Sequence, residues 1–209
     1  MPDHEIALQL IVQAGVPIAA PSANRFGHVS PTTAEHVLAD LDGRIDAVLD
    51  GGPCIVGVES TVLDALVDPP RILRQGCITQ EKIEEVIGPV EVYEPPAIEA
   101  PPESLPAPGL GLRHYAPLTK VLLVEGGEEA MQMEASRHVR SGNLLPAGWN
   151  VRGTFFEWGR WGDWEMLAQR LYAGLRWLDV QNVDAILAPL PPAEGLGNTL
   201  RDRLFKAAK

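Results

Sequence analysis

The stretch Ala20-Pro21-Ser22-Ala23-Asn24-Arg25-Phe26-Gly27-His28-Val29-Ser30-Pro31-Thr32 places hydroxyls, an amide, a glycine and basic side chains between an apolar run and a helix start. Helix N-termini collect anions because their first amides are unpaired and the dipole is positive there. Ser22, Asn24 and Thr32 could add donors to phosphate or carboxylate oxygens; equally, the segment reads as a loop in which Ser30 caps and Asn24 turns. A second group is Gly57-Val58-Glu59-Ser60-Thr61-Val62-Leu63-Asp64 with Arg71-Ile72-Leu73-Arg74-Gln75-Gly76. An arginine beside glycine at a strand end can aim its planar fork at phosphate, while a Ser-Thr pair at a strand start can simply satisfy backbone groups. The third is Arg113-His114-Tyr115 within Pro108–Pro117. It reads either as an arm closing over a ligand through His114 and Tyr115 or as an arm docked for structural reasons. Gly109 and Gly111 do not make a dinucleotide fingerprint, since no strand precedes them and no helix follows. The chain offers no Ser-His-Asp order, no P-loop and no His/Cys metal spacing, so no catalytic residue and no metal ligand is assigned.

Helix and strand signals alternate around these groups. Ile6 to Ile11 is apolar at helical spacing and Gly15 is placed to end that helix, while Val16–Ala20 has strand length. Ser30 followed by Pro31 predicts a helix from there to about Leu41, with Ser30 as cap. Asp46–Leu49, Thr61–Ala65 and Arg71–Arg74 read as strands, and Thr79 opens a helix that ends at Ile87-Gly88. Seven of the 19 prolines fall between residues 90 and 117, a composition typical of semi-rigid extended spacers. Beyond it come strands over Lys120–Glu125, Thr154–Glu157 and Val183–Ala188. Helices are predicted over Glu128–Arg140, over a stretch capped by Asp163 with Leu167, Leu171, Leu175 and Leu178, and over Asn198–Ala208. This alternation implies a parallel sheet with crossover helices. The expected organisation is an α/β front part over 1–89, a proline-rich linker over 90–117 and a small Rossmann-like α/β domain over 118–209.

With 209 residues, 45% of them apolar, the chain has ample material for a packed core. Lysine and arginine number 17 against 28 acidic residues, a net charge of −11. That field disfavours direct nucleic-acid binding and leaves room for one local basic pocket. No apolar run reaches the roughly 18 residues of a membrane span, and the N-terminus lacks the order of a secretory signal. Cys54 and Cys77 are expected to be buried structural thiols in a cytoplasmic protein. The five tryptophans, without interleaved basic residues, read as core and loop anchors and not as base-stacking platforms.

Ser22-Ala23-Asn24 with Ser30-Pro31-Thr32, Glu59-Ser60-Thr61-Val62, Leu73-Arg74-Gln75-Gly76 and Arg113-His114-Tyr115-Ala116-Pro117 follow in order the motifs of the Sua5/YrdC/YciO family. The appended domain, ending Gly195-Leu196-Gly197 to Asp202-Arg203-Leu204, resembles the longer Sua5 type. The resemblance implies a partial YrdC-like twisted-sheet α/β domain, the linker, and a C-terminal Sua5 domain. The implied activity is synthesis of L-threonylcarbamoyladenylate from L-threonine, bicarbonate or CO₂, and ATP with Mg²⁺, releasing pyrophosphate. The product would pass to the machinery that makes the t6A modification of tRNA. By the same carry-over, Ser22 and Ser60 would contact threonine, while Asn24, Thr32, Arg74 and Tyr115 would contact ATP. The family's upstream Lys-x-Arg motif has no counterpart here, so the 209-residue chain is expected to be a truncated, weakly active or inactive version. The alternative is a non-catalytic nucleotide-binding or protein-interaction module derived from that family.

Overall fold

A computed structural model describes residues 2–94 and 115–209. The expected linker, and with it Arg113 and His114, lies for the most part outside the described residues. Two compact units are present: residues up to Arg25 with Ser30–Cys54, and Phe26–Val29 with Ile55–Lys209.

The first unit holds two helices. α1 (Glu5–Ala14) is ended as expected by Gly15, whose φ of 65° is left-handed and whose N–H returns to the Ile11 carbonyl. None of its residues is buried. α2 (Ala34–Leu41) starts later than expected. Its cap is Thr33, whose hydroxyl accepts from the His36 N–H, and not Ser30. Ser30 and Thr32 are instead buried, and the Thr32 N–H donates to His36 Nδ1 at 3.3 Å. The proline at 31 therefore precedes the cap and does not sit in the first turn. The strands expected over Val16–Ala20 and Asp46–Leu49 do not form. Both runs are mostly exposed, and a strand of that length is stable only when a neighbour closes its hydrogen-bond ladder.

In the second unit, β1 (Val62–Asp64) pairs antiparallel with β2 (Arg71–Arg74). After α3 (Gln80–Ile87), β3 (Glu91–Val92) pairs parallel with β2. This short strand lies where a linker was expected, since two paired residues leave no periodicity to read. A second sheet is built from β4 (Val121–Val124), β5 (Ser141–Pro146), β6 (Thr154–Gly159) and β7 (Ala185–Pro189). Its order is β4-β7-β5-β6 and every neighbour is parallel, as the strand–helix alternation implied. The crossovers include α4 (Gly127–Ala135) and α5 (Trp164–Asp179), and α6 (Leu196–Ala207) follows β7.

Residues alternate across this sheet. Leu144, Ile186 and Ala188 meet α5 and α6 in one apolar cluster, whereas Leu145, Ala185 and Leu187 meet α4 in another. The α5 stripe Leu167, Leu171, Leu175 and Leu178 is fully buried, as its spacing predicted, and Asp163 caps the helix by accepting from the Met166 N–H. α4 stops at Ala135, five residues before the expected end, because β5 begins at Ser141. β5 itself escaped prediction. Its opening Ser-Gly-Asn reads as a turn, yet the Asn143 amide is buried and donates to the Arg152 and Thr154 carbonyls.

Trp158 is wholly buried and its indole N–H donates to the Leu167 carbonyl, whereas Trp177 is partly exposed. Cys54 is exposed and Cys77 half-buried, so the expectation of buried thiols fails for Cys54, which lies in an extended loop. No helix among the described residues is long and apolar enough to cross a membrane.

Candidate functional site

Antiparallel pairing sets Val62 opposite Arg74, with an irregularity between Val62 and Leu63. The chain just before β1 therefore runs beside the end of β2. Arg74 Nε donates to the Ser60 carbonyl at 3.0 Å, and Nη2 donates to Ser60 Oγ at 3.3 Å. Ser60 is exposed and Arg74 half-buried, so this pair faces solvent and can meet a ligand. Gly76 makes the approach possible. A Cβ there would lie 2.3 Å from the Thr61 nitrogen and 2.5 Å from the Glu59 carbonyl oxygen, distances no side chain tolerates. Upstream, Gly57 has a φ of 77° and passes so near α5 that a Cβ would stand 2.3 Å from Gln169 Cα.

Beneath the pair lies a buried polar cluster built from α5 and α6. Arg203, fully buried on α6, donates from Nε to Glu59 Oε2 at 2.9 Å and from Nη2 to the Gln75 carbonyl at 2.8 Å. Its Nη1 donates to Asp202 Oδ2, which also accepts from Lys206 Nζ at 2.9 Å. One turn earlier, Thr199 Oγ1 donates to the Gly76 carbonyl at 2.9 Å. The Tyr172 hydroxyl donates to the same Glu59 Oε2 at 2.8 Å. Tyr115 packs its ring on Tyr172, with centroids 5.5 Å apart, and over the Arg203 guanidinium at 5.1 Å. Its own backbone is left-handed, with φ of 60°, a conformation that costs a non-glycine residue energy and is retained only where packing enforces it.

Burial works against the charge of Arg203, but Tyr172, Tyr115, Glu59 and Asp202 outweigh it and raise its pKa, so the guanidinium stays protonated. Burial pushes the Tyr115 phenol up to about 12, with Arg203 acting in the opposite direction, and also raises Tyr172 well above the usual phenol value. A phenol whose folded pKa exceeds its unfolded value of 10.0 binds its proton more tightly when folded. The stability it contributes is complete below pH 10 and is lost as pH rises through about 12. Unfolding midpoints in urea, taken between pH 8 and 12, are expected to stay level and then fall over that window.

Of the sequence-derived site residues, Ser60, Arg74 and Tyr115 belong to the second unit. Ser60 and Arg74 are in direct contact, and Arg203 links them to Tyr115. Ser22, Asn24 and Thr32 belong to the first unit. There Asn24 Nδ2 donates to the Arg25 carbonyl and the Asn24 N–H to the Ser22 carbonyl, while Thr32 is buried against His36. Sequence reasoning missed the roles of Glu59, Tyr172, Thr199 and Arg203. A signal existed for the last: Arg203 sits among Leu200, Leu204 and Ala207 on the apolar stripe of its helix, where an unpaired charge would not be tolerated.

A family model described as threonylcarbamoyl-AMP synthase, C-terminal domain, matches residues 78–209, and the Sua5/YciO/YrdC model, described as telomere recombination, matches residues 1–76. The chain belongs to the Sua5 family. This Sua5 chain is 43% identical over 215 residues to the threonylcarbamoyl-AMP synthase of Bacillus subtilis. It is 38% identical over 217 residues to that of Pyrococcus abyssi. In both cases all of this chain is matched and it spans 62% of the relative's length. The crystal structure of P. abyssi Sua5 complexed with L-threonine superposes with a TM-score of 0.88 at 37% identity, covering all of this chain and 62% of that one. A second P. abyssi Sua5 structure, carrying alanines in place of an adjacent histidine and tyrosine, gives a TM-score of 0.85 at 38% identity, again covering all of this chain and 61% of that one. The two family models meet just after Arg74-Gln75-Gly76, so the buried cluster joins residues matched by different models.

Proposed function

We propose that this Sua5 chain acts in threonylcarbamoyl-AMP synthesis: L-threonine, bicarbonate or CO₂, and MgATP give L-threonylcarbamoyladenylate and pyrophosphate. The product would pass in the cytoplasm to the machinery that forms t6A on tRNA. What supports this reading is the direct contact between Ser60 and Arg74, the former assigned to threonine and the latter to ATP, in a chain whose relatives are named threonylcarbamoyl-AMP synthases. A site holding amino acid and triphosphate side by side acts mainly by positioning. The threonine amine takes up CO₂ as a carbamate, a carbamate oxygen attacks the α-phosphorus, and pyrophosphate leaves. The Arg74 guanidinium offsets charge that develops on the phosphate oxygens. In the second unit Ser60 would contact threonine and Tyr115 the nucleotide; in the first, the family resemblance assigns Ser22 to threonine and Asn24 and Thr32 to the nucleotide. Mg²⁺ would enter with the nucleotide and help to neutralise its phosphate charge.

The test is to incubate the chain with L-threonine, bicarbonate, ATP and Mg²⁺ and follow pyrophosphate, with mass spectrometry for the adenylate. ATP binding by calorimetry is measured alongside. Threonine-dependent pyrophosphate with the adenylate supports the reading. ATP binding without it fits the weakly active or inactive version of the synthase or a nucleotide-binding module, and the absence of both overturns the assignment.

A further inference from the structure

We propose that Arg203 is a positioning residue for the Ser60–Arg74 pair, so that α6 of the C-terminal domain sets the geometry of the strands proposed to bind substrate. The inference rests on the assignment of Ser60 and Arg74 to threonine and ATP. The observation that carries it is a closed circuit of five residues. Ser60 is covalently joined to Glu59, whose carboxylate accepts a hydrogen bond from Arg203 Nε at 2.9 Å. Arg203 Nη2 reaches the Gln75 carbonyl at 2.8 Å, Gln75 is joined to Arg74, and Arg74 closes the circuit on Ser60 at 3.0 and 3.3 Å. One side chain thus holds the residue before Ser60 and the residue after Arg74.

The guanidinium suits this task. Its planar fork aims two donors at two partners in fixed directions, which a lysine ammonium cannot do. It cannot drift, because it is fully buried beneath the Tyr115 ring and bonded to Asp202. The carboxylate is fixed from the other side by Tyr172, so Glu59 is clamped between α5 and α6. Thr199, four residues earlier on the same helix face, holds the Gly76 carbonyl, the next acceptor along the chain. Arg203 is fully buried, so it acts through its neighbours and not on a substrate.

The experiment uses the 209-residue chain, an Arg203→Lys variant, and a double Arg203→Met, Glu59→Gln variant that removes the pair without stranding a charge. ATP affinity is read by calorimetry, and amide exchange is read at residues 60–62 and 75–77 against β5 and β7 as internal controls. Both variants are expected to bind ATP about tenfold more weakly, the equivalent of one charge-assisted hydrogen bond. Exchange should rise at residues 60–62 and 75–77 while the β5 and β7 amides keep their protection. A variant that melts near the wild type, binds ATP as tightly and shows no local change in exchange would overturn the proposal. Should the wild-type chain itself bind no ATP, the assigned function fails, and exchange alone then decides the positioning role. A uniform rise in exchange across both sheets marks Arg203 as merely structural.

Discussion

Arg74→Ala is expected to weaken ATP binding by roughly 10- to 100-fold, the loss of a hydrogen bond to a charged group worth about 1.5–3 kcal/mol. Arg74 ends β2 with its guanidinium half-buried beside the exposed Ser60, so the substitution removes charge from an open surface and leaves no cavity in the apolar clusters. Thermal stability should therefore move little. Arg74→Lys should rescue only part of the affinity, because an ammonium restores charge but not the two-pronged contact. Calorimetric titration of ATP into the three proteins distinguishes these outcomes. Equal affinity for wild type and Arg74→Ala would remove Arg74 from the nucleotide site.

Gly76→Ala is expected to cost roughly 3 kcal/mol, the upper part of the usual range for overpacking a tight site. Three backbone atoms, from Thr61, Glu59 and Ser60, lie within 2.5 Å of where the new methyl would stand. Backbone cannot swing aside as a flexible side chain does, so the two segments must part. Parting them stretches the Arg74 bonds to Ser60 and the Thr199 bond to the Gly76 carbonyl together. The melting temperature should fall by about 6–12 °C, taking 2–4 °C per kcal/mol for a unit of this size. ATP affinity should fall with it. An unchanged melting curve would mean that the strands separate without strain, contrary to the packing.

The parts of the fold that could be read in advance are those where period and punctuation agree. The α5 leucines with their Asp163 cap, and the parallel alternation of the C-terminal sheet, declared themselves in this way. β5 did not, because its Ser-Gly-Asn start is polar and the amide that makes burial tolerable finds its partners at and just before the start of a different strand. The start of α2 was misplaced because two consecutive threonines and a serine all qualify as caps, and only the fold shows that Thr32 is committed to His36. At the site, Ser60 and Arg74 were visible as chemistry but their contact was not, since it depends on strand register. Arg203 was hidden for a different reason. The apolar stripe of its helix marks a charge in need of partners, but two of them, Gln75 and Glu59, lie 128 and 144 positions away in the chain, where no local pattern names them.

The clamp on Glu59 has a consequence for modularity. The boundary between the two family-model matches, between residues 76 and 78, falls between residues that the Arg203 contacts hold together. A cut there would leave the Glu59 carboxylate without its guanidinium and the Arg203 guanidinium without its carboxylate. The C-terminal part is in that sense less an accessory than a support for the segments that carry Ser60 and Arg74.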